Sequence, residues 1–283
     1  MRSETIRTLG CLTVALALVI AAGVGAFWWL RARNLTEPVP GQERCVATAN
    51  NRSTVVDLEQ ANFASIIAGV SVRRGLPPRA ASIALATAYQ ETGIRNLEYG
   101  DRDSLGLFQQ RPSQGWGTRK QLMDPYYATG KFYDALVKIK NWESADINDV
   151  AQKVQLSGHP EAYRDHEADA RVLASALTGQ SAAGFSCLDR SGTTGDAEEL
   201  RTSLRRTFGS IDDSADGSVV TIRAGSGRRA WAYAHFAVAN ANLYGVTTVK
   251  IKNRSWQTQD FNLPDWQEAS PRLKNERVEI TVR

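Results

Sequence analysis

Glu91 closes the run ASIALATAYQETG, in which Ala80, Ile83, Ala84, Thr87, Ala88 and Glu91 fall at helical spacing along one face. The pattern sets a carboxylate on an apolar stripe at the C-terminus of a helix. Desolvation raises a carboxyl pKa, and the negative end of the helix dipole acts in the same direction. A carboxylic acid that keeps its proton near neutral pH is what glycosidic cleavage requires of a general acid. Taken alone, a glutamate in this position is more often a solvated helix end, so its neighbours decide the reading.

The next segment, YGDRDSLGLFQQRPSQGWG at 99–117, combines glycines, amide side chains and aromatic residues at both ends. Flat aromatic faces with amide and hydroxyl partners suit a saccharide groove, although the composition also fits an ordinary polar loop. Asp101 and Asp103 lie ten and twelve residues beyond Glu91, where either could approach the cleavage site. An inverting glycosidase places its base about 6.5–9.5 Å from the acid, leaving room for water. Two aspartates in one loop are more commonly turn and capping residues, so they rank as contributors at most. Other chemistries fall away. His159, His166 and His235 have no ligand spacing, Ser104 has no visible triad partner, and no CxxC is present. The expectation is no metal and no cofactor.

The elements that position Glu91 read as helices. Asp57 caps one running to Arg74, Pro77 and Pro78 open a second that stops at Gly93, and helical patterns recur at 126–140, 146–156 and 160–178. Nothing across 57–187 shows the period-2 alternation of a sheet. Residues 188–217 read as a linker that holds a short helix near 197–207. Alternating strands at 219–224, 247–253 and 277–283, with a helix at 228–243, make 218–283 a small α+β domain. The expected fold is therefore a mainly α domain over 57–187, a small α+β domain and an N-terminal membrane helix.

Residues 1–34 carry that helix. Cys11–Leu30 is uncharged and long enough to span a bilayer, and it ends in Phe27, Trp28 and Trp29. The segment reads as an uncleaved single-pass anchor in preference to a signal peptide, with 35–56 as a tether. Cys45 and Cys187 bracket the helical stretch, which suggests a disulfide in an oxidising compartment and places the soluble part on the extracytoplasmic side. The 283-residue chain carries a net charge of +4 without a concentrated basic stripe, which argues against a nucleic-acid partner.

Three blocks in order, QETG at Glu91, GLFQQRP at 106–112 and LMDPYYATGKFYDAL at 122–136, resemble those of lysozyme-like lytic transglycosylases. The resemblance covers roughly 57–187. It implies a lysozyme-like fold there, with Glu91 as general acid and Thr92, Gly106, Leu107, Phe108 and Gln109 lining the substrate groove. Thr92 stands where the family has Ser, and Phe108 where it has Met. VQLSG at 154–158 replaces the family's Ala-Tyr-Asn-Ala-Gly, so Gln155 and Leu156 stand in place of the Tyr-Asn pair, Gln155 takes a substrate-binding place, and the tyrosine hydroxyl that helps orient the acid and substrate is missing. The implied activity is cleavage of peptidoglycan between N-acetylmuramic acid and N-acetylglucosamine, with peptidoglycan as partner. Departure at 154–158 leaves two alternatives, a lysozyme-type hydrolase and an inactive peptidoglycan-binding scaffold. More faintly, the tail resembles a C-terminal domain of actinobacterial cell-wall hydrolases, without the His-Val-His strand of zinc-binding relatives. Trp256, Trp266 and Tyr244 are its candidates for a binding surface, although such residues more often serve core and packing roles.

Overall fold

The structure, a computed structural model, describes residues 41–156, 161–274 and 276–283. It begins with strands where the sequence reads as a tether. β1 (Arg44–Ala49) turns Cys45, Ala47 and Ala49 inward, and β2 (Arg52–Val56) buries Thr54 and Val56. Between them Asn50 and Asn51 both take positive φ, 50° and 60°, the left-handed pair that a two-residue hairpin needs and that asparagine tolerates. β3 (Phe185–Leu188) pairs with the other edge of β1, so the antiparallel order is β2–β1–β3. Cys45 lies directly opposite Cys187, and the two are bonded with Cα atoms 3.9 Å apart.

α1 (Leu58–Arg73) starts from a capping box: the Asp57 carboxylate accepts from Gln60 N, and the Gln60 amide oxygen accepts from Asp57 N. α2 (Pro78–Thr92) opens on Pro78, whose missing N–H costs nothing in a first turn. It ends at Gly93, left-handed at φ 64°, whose N–H returns to Tyr89 O. α3 (Arg119–Leu122), α4 (Pro125–Leu136), α5 (Ile147–Gln155), a 3₁₀ turn (Ala162–His166) and α6 (Glu167–Leu177) complete the helical part around α2. Ala80, Ala81, Ile83, Ala84, Leu85 and Ala88 are fully buried, so α2 is the central helix.

α7 (Ala197–Phe208) follows, and then β4 (Asp212–Asp216), β5 (Val219–Arg223), α8 (Gly227–Ala239), α9 (Ala241–Tyr244), β6 (Val246–Ile251), β7 (Arg254–Gln257), β8 (Gln267–Glu268) and β9 (Arg277–Val282). These strands form one antiparallel sheet in the order β4–β5–β9–β6–β7–β8. Glu43–Arg283 is a single compact unit with a shared apolar core. Gly69 on α1 shows how closely its parts approach: a Cβ there would stand 2.2 Å from Thr207 Cγ2 on α7.

The expectation of a mainly α lysozyme-like domain with a separate small α+β domain is therefore overturned. Helix takes 44% of the described residues and strand 20%, in two antiparallel sheets, which makes the fold mixed α/β. The sheet missed in the sequence is built from strands of four to six residues, too short for a period to stand out, and β1 finds β3 only through long-range pairing. The tether over 35–56 contains β1 and β2, and the linker over 188–217 contains α7 and β4. The membrane helix expected at Cys11–Leu30 lies outside the described residues; among those described, no helix is long and apolar enough to cross a membrane.

Candidate active site

Glu91 sits in the last turn of α2, half-buried, one residue before the Thr92 terminus. Two ties hold that terminus. Gln60 Nε2, from the cap of α1, donates to Gly93 O at 2.8 Å, and Thr92 Oγ1 lies 3.0 Å from Leu107 O. Arg95, just beyond, forms ion pairs with Asp57 and Glu59. The end of α2 is thus fastened both to the start of α1 and to the loop that follows.

The loop is a short hairpin, with Leu97 bridged to Gly106 and Leu105 to Gln110. Its glycines sit in close contact, and Gly106 is required by it. A Cβ on Gly100 would lie 1.7 Å from Gln109 Oε1, and one on Gly106, at φ 79°, 2.5 Å from Leu122 O. The Leu107 and Phe108 side chains point into the core, Phe108 stacking on Phe132 at 4.7 Å, so these two residues offer the site their backbone. Gln109 is half-buried and its Oε1 accepts from Ser104 Oγ at 2.9 Å.

Two side chains converge on the acid. Tyr163 Oη donates to Glu91 Oε1 at 2.7 Å, and the Gln155 side chain also hydrogen-bonds the carboxylate. Gln155 Nε2 in addition donates to Phe108 O at 2.7 Å, which ties the end of α5 to the loop. Burial pushes the Glu91 pKa up from its ordinary value, and the Tyr163 and Gln155 hydrogen bonds pull the other way without reversing it.

Asp103 belongs to a different set of contacts. Its Oδ1 accepts from Arg111 Nε at 2.7 Å, its Oδ2 accepts from Ser113 N at 2.8 Å, and these partners hold its carboxyl well below the usual range. Asp101 is exposed and 3.8 Å from Arg102 Nε. The structure thus gathers Glu91, Thr92, Gln155 and the backbone of 106–109, and employs Asp103 in shaping the loop.

Tyr163 is the residue that sequence reading missed. It is fully buried on the 3₁₀ turn, eight residues beyond Gln155, and supplies Glu91 with a tyrosine hydroxyl that the VQLSG segment lacks. A tyrosine shortly after a substituted motif was the available signal, but 3₁₀ turns leave no periodic trace. Nearby, His166 stacks on Tyr89 at 4.6 Å and its Nε2 is 3.0 Å from Gln90 Oε1. In the tail, Trp256 and Trp266 are buried and donate their indole N–H groups to Ser186 Oγ and Phe185 O, both at 2.9 Å. They fasten the large sheet to β3, which is a packing role.

Compared with known proteins, the chain matches no family model and no curated protein sequence.

Proposed function

We propose that the protein cleaves peptidoglycan glycan strands between N-acetylmuramic acid and N-acetylglucosamine, as a lytic transglycosylase, on the extracytoplasmic side of a membrane. The observation that carries this reading is Glu91: a half-buried carboxyl group with a raised pKa, oriented by Tyr163 and Gln155 beside a glycine- and amide-rich loop. Disulfide-bonded Cys45 and Cys187 support an oxidising compartment.

Protonated Glu91 gives its proton to the glycosidic oxygen as the bond to the muramic acid carbon breaks, releasing the glucosamine-side hydroxyl. The oxocarbenium-like centre is captured by the same sugar's primary hydroxyl. That hydroxyl loses its proton to the Glu91 carboxylate, which restores the acid and leaves an anhydro ring. Water is neither consumed nor released, and a second carboxylate is not required. The commitment of Asp103 to Arg111 and Ser113 favours this route over a hydrolase with an aspartate base. The test is digestion of purified peptidoglycan followed by mass spectrometry of the new ends. Anhydro ends are expected. Reducing ends mean a hydrolase, and binding without release means a scaffold; either outcome overturns the proposal.

A further inference from the structure

On the far side of the Tyr163 turn lies a hollow of about 440 Å³, bounded by the β1–β2 hairpin and the first turns of α6. Three arginines line it. Arg171 is paired with Glu167 at 2.7 Å, and Arg164 is held by Asp146 at 3.2 Å and Glu161 at 3.3 Å. These carboxylates fix two guanidinium groups in place, and a guanidinium has five N–H donors, so donors remain for a further acceptor. Arg52, exposed on the hairpin, has no carboxylate at ion-pair distance among the described residues, so its charge is uncompensated. Ala49, Ala168 and Val172 give the hollow a small apolar floor. It has room for far more than a single water, whose share of liquid volume is about 30 Å³.

Glu167 and Asn50 also line the hollow, and Glu167 is taken up by Arg171, so the wall offers one arginine unpaired among the described residues beside two oriented ones; over a floor of small apolar side chains this fits the carboxylate end of a short peptide with small side chains. The place of the hollow matters as much as its chemistry. Arg164 immediately follows Tyr163, so one 3₁₀ turn holds the acid on one side and the hollow on the other. We infer that this hollow binds a carboxylate-bearing peptide arm of the glycan substrate. The inference rests on the glycan-cleavage reading and adds to it a preference for strands that carry peptides. Arg52 supplies the free charge, Arg164 and Arg171 supply oriented donors, and the hairpin tip closes the hollow.

Two measurements on the full chain test this. The first needs no activity: calorimetric titration with an N-acetylated, sugar-free stem peptide, with the same peptide amidated at its carboxylates, and with inorganic phosphate. Arg52→Glu should weaken binding of the free-carboxylate peptide about tenfold or more, the size of one charge-assisted pair, and Arg52→Lys should retain part of it. The second compares cleavage of bare glycan with cleavage of peptide-bearing strands. Arg52→Glu should leave the bare-glycan rate unchanged and raise KM for the peptide-bearing strands. Equal peptide binding by parent and Arg52→Glu overturns the inference, as does equal binding of the amidated peptide. Phosphate binding as tightly as the peptide does so too, because the hollow would then select only a bare anion. Parent protein that binds the peptide but cleaves neither bare nor peptide-bearing strands would instead count against the glycan-cleavage reading.

Discussion

At the scale of single residues, the behaviour of Glu91 follows from competition between burial and hydrogen bonding. Burial raises its pKa and wins, while Tyr163 and Gln155 stabilise the carboxylate and limit the rise. Glu91→Gln removes the transferable proton, so turnover should fall by about 10²–10⁴-fold, readable as the rate of soluble muropeptide release. The same substitution has a stability signature. With a folded pKa above its ordinary value of 4.5, Glu91 is uncharged in the folded state at acid pH, and its contribution to stability is lost as pH rises through the folded value. Glu91→Gln should therefore match the parent's denaturant midpoint in acid and exceed it from neutral pH upward. Tyr163→Phe deletes a donor that lowers the Glu91 pKa. The alkaline limb of the pH–rate profile should consequently move to higher pH while kcat falls; an unmoved limb would separate Tyr163 from the acid.

At the scale of elements, the site depends on where helices stop. α2 ends at Gly93 because a left-handed residue there returns its N–H to the last turn, and Gln60 then ties that end to the cap of α1. The small sheet is closed by its disulfide, which spans a sequence separation of 142. Reduction should lower unfolding free energy by about 2–5 kcal/mol, measured as a shift in denaturant midpoint with and without reductant. Since β1 is the central strand of its sheet, the loss should reach the β1–β2 hairpin and its Arg52 before it reaches α2.

At the scale of the molecule, the tail is part of the core. Asn240 Nδ2 donates to Ser65 Oγ at 3.0 Å, Tyr126 Oη lies 3.3 Å from Thr207 Oγ1, and Arg206 both stacks on Tyr126 and pairs with Asp124. A chain truncated after residue 195 would expose the α1 face now covered by α7 and α8. It should lack a cooperative thermal transition, whereas an independent tail would leave one intact. His235 reports on the same seam. It is fully buried, and its Nδ1 donates to Ala176 O at 2.7 Å, while burial pushes its pKa down to about 4. The unfolded chain takes up a proton near pH 6.5 and the folded one only near pH 4. Stability should therefore fall by about 3 kcal/mol as pH drops across that interval, a slope that chemical denaturation at stepped pH measures.

Local rules were enough to read much of this chain. The Asp57 cap, the Pro77-Pro78 opening, the Gly93 stop and the glutamate on the apolar face of α2 are visible because each depends on residues within a few positions of one another. The Cys45–Cys187 bond was legible from bracketing alone, and the alternating tail strands from their period. What joins distant residues was not legible. β1 becomes a strand by pairing with residues at 185–188, Tyr163 reaches Glu91 from a 3₁₀ turn 72 residues away, and the helix expected near 197–207 packs, as α7, against a glycine on α1. Propensity and periodicity register neighbours along the chain. Pairing, burial and close approach across it exist only once the tertiary structure has formed, and they decide which hydroxyl faces the acid and that Glu43–Arg283 packs as one unit.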